Sequence, residues 1–188
     1  MNFPLAYQKI LNRIDQIDPI KYGSSRNFID GAVTYLSPYI SRGVISTKQA
    51  YDHVITKGFE PKQIEKFIQE LAWRDYWQQI WIAKKEEING DLIKPQPTAE
   101  RRGLPKAIEE NTLGITAIDN GIEELYQTGY MHNRVRMIVA SFLCKHLLID
   151  WRWGETYFAQ NLLDYEMASN VGNWQWAAGS GVDAAPYF

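Results

Sequence analysis

The sequence predicts an all-α fold, and three observations predict it. Apolar residues recur at three- and four-residue steps in one segment after another. No stretch alternates polar and apolar residues with period two between turn signals. No internal repeat of about 20 to 50 residues is visible, which excludes a solenoid or propeller. At 188 residues, with 45% hydrophobic and 22% charged, the chain suits a single domain over residues 1–188 with a real core.

The elements follow in order. Leu5, Ile10, Leu11, Ile14 and Ile17 line one face of a first helix, which Asp18-Pro19 stops. Ser46 caps a second helix through Ala50, Val54 and Ile55, and Gly58 ends it. Pro61 suits the first turn of a long helix whose buried stripe is Ile64, Phe67, Ile68, Leu71 and Trp73. Gly90, Pro95, Pro97 and Gly103 among charges make Ile88–Gly103 a long loop. Thr116 and Asp119 have the spacing of a capping box for a helix through Ile118, Ile122 and Leu125, ending near Gly129. Asn133–Leu148 is the strongest helix, and Thr156–Leu163 fits a short one. The stretch from Asp164 to Trp176 reads as a glycine-containing loop rich in asparagine.

Charge and composition bound the function. With 20 Lys+Arg against 22 Asp+Glu the net charge is −2, so any contact with a polyanion must be a local patch. A single cysteine, Cys144, lies in an apolar stretch, reads as a buried inert thiol, and fits a reducing, cytoplasmic setting. The N-terminus lacks a signal-peptide pattern, and Lys145 and His146 interrupt the most hydrophobic window, so no membrane span is expected. His53, His132, His146 and Cys144 lack metal-ligand spacing, and no metal is expected.

The excess is aromatic: 7 Trp, 11 Tyr and 7 Phe. Trp151, Trp153, Trp174 and Trp176 form two Trp-x-Trp pairs near the C-terminal end, and each indole N–H needs a partner if buried. Two readings are open, an aromatic core between crossing helices and a site for a flat aromatic ligand. Asn133, Arg136 and Met137 share one helical face with Arg134 at its side; Asp164 or Glu166 could pair an arginine there, or both arginines could be solvated. Glu70, Trp73, Arg74 and Trp77 lie at three- and four-residue steps, either as one wall of a site or as a surface Glu70–Arg74 pair above core indoles. Between Tyr22 and Ser46, the hydroxyls and amides of Asp30–Tyr39 can hold phosphate, with no Walker or dinucleotide fingerprint.

Five ordered runs go further: Leu36-Ser37-Pro38-Tyr39, Glu70–Tyr76, Thr128–Met137, Leu147–Gly154 and Ala168–Trp176, with Asp183–Phe188 beyond them. Together they closely resemble the FAD-binding helical domain of the DNA photolyase and cryptochrome family, from about Tyr22 onward. The resemblance implies a multi-helical bundle that holds a U-shaped FAD below a cavity open to DNA. It places Tyr22, Thr34, Leu36 and Ser37 at the cofactor's phosphates, with Arg74 also on the cofactor. It sets Asn170 facing flavin N5, Arg136 and Asp164 as an ion pair beside the ring, and Glu166 near the ribityl or ribose part. Glu70, Trp73, Asn133, Arg134, Met137 and Trp176 match positions that grip a flipped cyclobutane pyrimidine dimer, with Glu70 and Asn170 serving the chemistry. Trp174 and Trp151 match the inner and middle members of a tryptophan electron chain, whose outer member would fall near Thr98.

The resemblance therefore implies light-driven electron transfer from reduced FAD to a pyrimidine dimer in damaged DNA, a lyase reaction. A flavin photoreceptor, or the FAD-binding subunit of a split protein with a separate antenna polypeptide, is the alternative. The family's N-terminal α/β antenna domain and C-terminal helices are expected to be absent. Val33 and Tyr35 stand where Thr and Arg are common, Glu166 where Asp is common, and Tyr130 where Trp is common. Lys84, Lys85, Arg101, Arg102 and Arg134 are candidates for a positive rim or for ordinary solvated charge.

Overall fold

The computed structural model describes residues 2–93, 95 and 103–182. Thr98, Arg101, Arg102 and the closing run Asp183–Phe188 lie outside the described residues. Ten α-helices and no extended strand occur among the described residues. The chain divides into two compact units, Met1–Tyr76 and Trp77–Phe188.

The first unit contains α1 (Tyr7–Asp15), α2 (Pro19–Ser25), α3 (Ser37–Ser41), α4 (Thr47–Thr56) and the start of α5 (Pro61–Lys84). Its core is mostly aliphatic, with Ile10 and Ile14 from α1, Ala50 and Val54 from α4, and Ile64 from α5, closed by Tyr39 and Phe67. Ser46 caps α4 in a complete capping box with Gln49, and Gly58 follows it at φ +71°. Asp18-Pro19 does more than stop α1. The Asp18 carboxylate accepts from the amides of Ile20 and Lys21, so the same dipeptide starts α2.

The second unit holds the remainder of α5, a 3₁₀ turn Lys85–Asn89, α6 (Lys106–Glu109), α7 (Thr116–Thr128), α8 (Asn133–Ser141), a π-helical turn Phe142–His146, α9 (Trp151–Asn161) and α10 (Met167–Ala178). Its core is larger and aromatic, built on Trp151, Tyr157, Phe158 and Trp174 with Ile118, Ile122, Leu125, Val139 and Leu143. Cys144 is buried there, and burial pushes its thiol up to about 12, so it stays protonated and inert.

Three sequence expectations change. Thr116 is the first residue of α7 and not its cap; Asp119 instead accepts from the amides of Leu113 and Gly114, bracing the preceding turn. The expected helix Asn133–Leu148 passes into a π-turn at Phe142. The expected loop from Asp164 to Trp176 is mostly α10. Gly172 sits inside that helix because the Trp77 ring lies on it, and a Cβ there would stand 2.3 Å from Trp77 Cε3. A glycine that reads locally as a loop signal is a contact surface for an indole.

Candidate functional site

In the second unit, polar groups gather around the start of α10. Glu166 takes extended backbone angles and accepts from the amides of Ala168 and Ser169, from Ser169 Oγ and from Gln78 Nε2. Its longer side chain, the departure noted in sequence, is thus occupied as the α10 cap. One turn on, Asn170 Nδ2 donates to the Glu155 backbone oxygen at 3.1 Å and to Glu155 Oε1 at 3.0 Å. Both amide hydrogens are spent on Glu155, so Asn170 presents Oδ1, an acceptor, to whatever lies opposite. The Tyr165 hydroxyl also reaches Glu155 Oε1, at 3.5 Å, and burial together with that carboxylate raises the phenol's pKa.

Arg136 Nη2 donates to Asp164 Oδ2 at 2.9 Å, with side-chain exposures of 22% and 3%. Arg136 Nε donates to the Met131 oxygen at 2.7 Å, and its guanidinium lies 5.3 Å from the Tyr130 ring centroid. A charge pair this buried costs desolvation free energy, which the added hydrogen bond and ring contact offset in part. On the same helix Asn133 is exposed, Arg134 and Met137 are half-buried, and Asn133 Nδ2 lies 3.9 Å from Met137 Sδ. Trp176 is half-buried against the core. Trp174 and Trp151 are both 2% exposed; Trp151 Nε1 donates to Asp91 Oδ1 at 2.8 Å.

In the first unit, residues 32–35 and the α1 side chains Lys9, Asn12, Arg13 and Gln16 line a cleft of about 510 Å³ that includes Thr34. Tyr35 there takes a positive φ of 53°, which only the small αL region allows a tyrosine. Leu36 is 2% exposed, with its side chain in the core, so only its backbone can face a ligand. Ser37 is exposed at the start of α3, and Tyr22 packs edge-on against Phe67 at 5.4 Å. Arg74 is half-buried on α5. Trp73 is 44% exposed and meets Tyr76 edge-on at 5.5 Å, so it is not a member of the buried stripe expected of it. Glu70 accepts from Arg26 Nε at 3.3 Å, a partner 44 residues away in place of the neighbouring Arg74.

Arg26, Gln78, Glu155 and Asp91 are the contributors that sequence reading passed over. Each acts by holding another polar group, and nothing in local spacing marks such a residue. Among the described residues no cluster of His, Cys, Asp and Glu could hold a metal ion, and no helix is long and apolar enough to cross a membrane.

The second unit thus holds a buried arginine–carboxylate pair, an asparagine whose amide nitrogen is tied to Glu155, and a half-buried indole at Trp176. Residues 67–188 match the family described as the FAD binding domain of DNA photolyase, and the chain belongs to that family. It is 39% identical over 180 residues to a deoxyribodipyrimidine photo-lyase of Alkalihalophilus pseudofirmus, covering 89% of this chain and 36% of that protein. A class III photolyase structure from Agrobacterium tumefaciens superposes with a TM-score of 0.85 at 35% identity, covering 97% of this chain and 40% of that one. A Synechocystis cryptochrome gives 0.86 at 30% identity, covering 100% and 41%. The chain thus spans about two-fifths of the length of these relatives.

Proposed function

We propose that this chain binds FAD and uses it to split cyclobutane pyrimidine dimers in DNA by light-driven electron transfer. The observation that carries the reading is the amide of Asn170, whose nitrogen is held by Glu155 so that its oxygen is kept as an acceptor. An acceptor held in that sense suits a flavin carrying a hydrogen on N5, the reduced form. The donor chemistry fits the cofactor elsewhere too. Arg136 offers positive charge to an electron-rich ring while Asp164 keeps it oriented. Tyr22, Thr34, Ser37 and the Leu36 backbone supply hydroxyls and an amide of the type that holds phosphates. Glu166, occupied at the α10 N-terminus, contributes to the site through the helix it caps.

Bound FAD, fully reduced and excited by blue light, supplies the electron that opens the cyclobutane ring and receives it back. The side chains position the lesion and need not move a proton. Trp73 and Trp176 offer indole faces for extruded bases, each worth about 1–3 kcal/mol of stacking. Glu70 keeps Oε2 for a pyrimidine N–H, since Arg26 engages Oε1. Asn133, Arg134 and Met137 provide a polar edge and a soft apolar contact.

The test uses the full chain loaded with FAD, reduced, and illuminated with an oligonucleotide holding one dimer. Repair is expected, Trp176→Ala should lose dimer binding while keeping the yellow colour, and Asn170→Ala should change the flavin's stable redox state. A yellow protein that repairs nothing would overturn the repair reading. The cryptochrome likeness favours one second reading, a flavin photoreceptor, which predicts light-dependent flavin reduction without repair.

A further inference from the structure

In the first unit, one wall of the cleft of about 510 Å³ is a row of hydrogen-bond donors. Lys9, Asn12, Arg13 and Gln16 follow at three- and four-residue steps along α1, so they share a face apart from the buried Ile10 and Ile14. Such a row is ordinarily the wet face of an amphipathic helix, but this one looks across the cleft at a second wall, residues 32–35. The Lys9 ammonium has no ion-pair partner among the described residues. The Arg13 guanidinium gives one N–H to the Asn2 backbone oxygen and lies 5.7 Å from the Phe3 ring centroid. Phe3 in turn meets the Tyr35 ring edge-on at 6.4 Å, which fixes the arginine head beside the loop. On the loop, the Ala32 amide is spent on Ser25 Oγ and the Val33 amide on the Gly31 oxygen, each at 2.9 Å. Thr34 gives neither its amide nor its hydroxyl to a described residue, and Tyr35 beside it is held at positive φ. Asp18, the carboxylate on the lining, accepts from the Ile20 and Lys21 amides and lies 3.7 Å from Lys21 Nζ, so its charge is met from α2.

We propose that this cleft binds a diphosphate group, with Lys9 and Arg13 of α1 supplying the positive charge and Thr34 a hydrogen bond. Two cations and an unspent hydroxyl and amide facing one cavity suit an anion with several oxygens. The volume exceeds what a single phosphate fills and matches a nucleotide-sized ligand. Residues 32–35 are Ala, Val, Thr and Tyr, so the loop has no cation of its own and α1 supplies what it lacks. That FAD is the source of the diphosphate rests on the flavin reading; the anion chemistry of the cleft does not.

The experiment titrates the full chain with FAD, with riboflavin, which has no phosphate, and with inorganic pyrophosphate, and reads dissociation constants by calorimetry. Lys9→Gln and Arg13→Gln should each weaken FAD and pyrophosphate by about tenfold, the size of one lost charge-assisted hydrogen bond, and leave riboflavin unchanged. Lys9→Arg should keep the affinity, and Lys48→Gln, on an α4 lysine paired with Asp52, should change nothing. Arg13 also braces Phe3, so Lys9→Gln, on an exposed side chain, carries the test if Arg13→Gln fails to fold. Weakening of pyrophosphate alone supports the cleft and makes a free diphosphate compound, in place of FAD, its occupant. If neither FAD nor pyrophosphate binds more weakly to Lys9→Gln, the proposal is overturned. A chain that takes up no flavin but holds pyrophosphate through Lys9 overturns the flavin reading and leaves the cleft standing.

Discussion

Each unit of the chain contains one arginine–carboxylate pair at a residue of the candidate site, and the two pairs differ in depth. In the second unit Arg136 and Asp164 are 22% and 3% exposed at the side chain; in the first, Arg26 and Glu70 are 21% and 37% exposed. The arginines are equally covered, so the difference lies with the carboxylates. Asp164 has lost almost all its water and depends on Arg136, whereas Glu70 keeps water as a competing partner. The deeper pair is therefore a fixed part of its unit, and the wetter pair leaves a carboxylate available to exchange partners. A ring-holding group needs the first property, and a group that must accept an incoming base needs the second.

Removing one partner from the deeper pair gives the largest effect. Asp164→Ala leaves Arg136 charged and partly buried and should cost about 3 kcal/mol in urea unfolding, the lower end for a buried pair because Arg136 retains some water. Replacing both, as Asp164→Leu with Arg136→Met, should recover most of that loss. A cost below about 1 kcal/mol for Asp164→Ala would show the pair to be no deeper than a surface one.

Glycines sharpen the contrast next. Gly154→Ala places a Cβ 2.1 Å from Trp174 Cη2 and should cost about 1–3 kcal/mol by overpacking. Gly23→Ala, on α2 of the first unit, meets only the Lys66 side chain, at 3.6 Å and beyond, and should stabilise by about 0.5–1 kcal/mol through helix propensity. Melting curves of the two variants should move in opposite directions. Equal destabilisation would mean that the first unit is packed as tightly as the second.

Glu155→Gln comes third. The glutamine keeps an acceptor for Asn170 but adds a donor, so of the two acceptors that hold the Asn170 amide in one sense only the backbone oxygen of residue 155 remains unambiguous. Stability should change by no more than about 1 kcal/mol. The flavin midpoint potential should fall, since a fixed acceptor favours the form carrying the N5 hydrogen. An unchanged potential would remove Glu155 as a positioning residue.

These cases also mark what sequence could and could not carry. Helix stripes such as Ile10 with Ile14 and caps such as Ser46 with Gln49 are written within a few residues, and the all-α fold was legible from them. The start of α10 was not, because Gly172 and Asn170 look like loop formers until Trp77 and Glu155, both distant in sequence, are in place. Helical spacing grouped Glu70 with Trp73 and Asn133 with Arg136 and Met137 as candidates with alternatives open, and the ordered motifs supplied the roles expected of them. Their holders, Glu155 for Asn170 and Arg26 for Glu70, lie 15 and 44 residues away, a separation at which no helical spacing rule operates.

Glu70→Gln closes the series with the smallest effect on stability. The glutamine oxygen can still accept from Arg26 Nε, so only the charge is lost, and a half-wet pair contributes about 0.5 kcal/mol at most. That small loss should shrink further as salt screens the wild-type pair. Affinity for a dimer-containing oligonucleotide should fall much more than stability does, because the carboxylate accepts a pyrimidine N–H more strongly than an amide oxygen can. Undamaged DNA should bind both forms alike. If the variant instead loses stability in step with lesion affinity, Glu70 is a structural partner of Arg26, and the difference between the two pairs is one of burial alone.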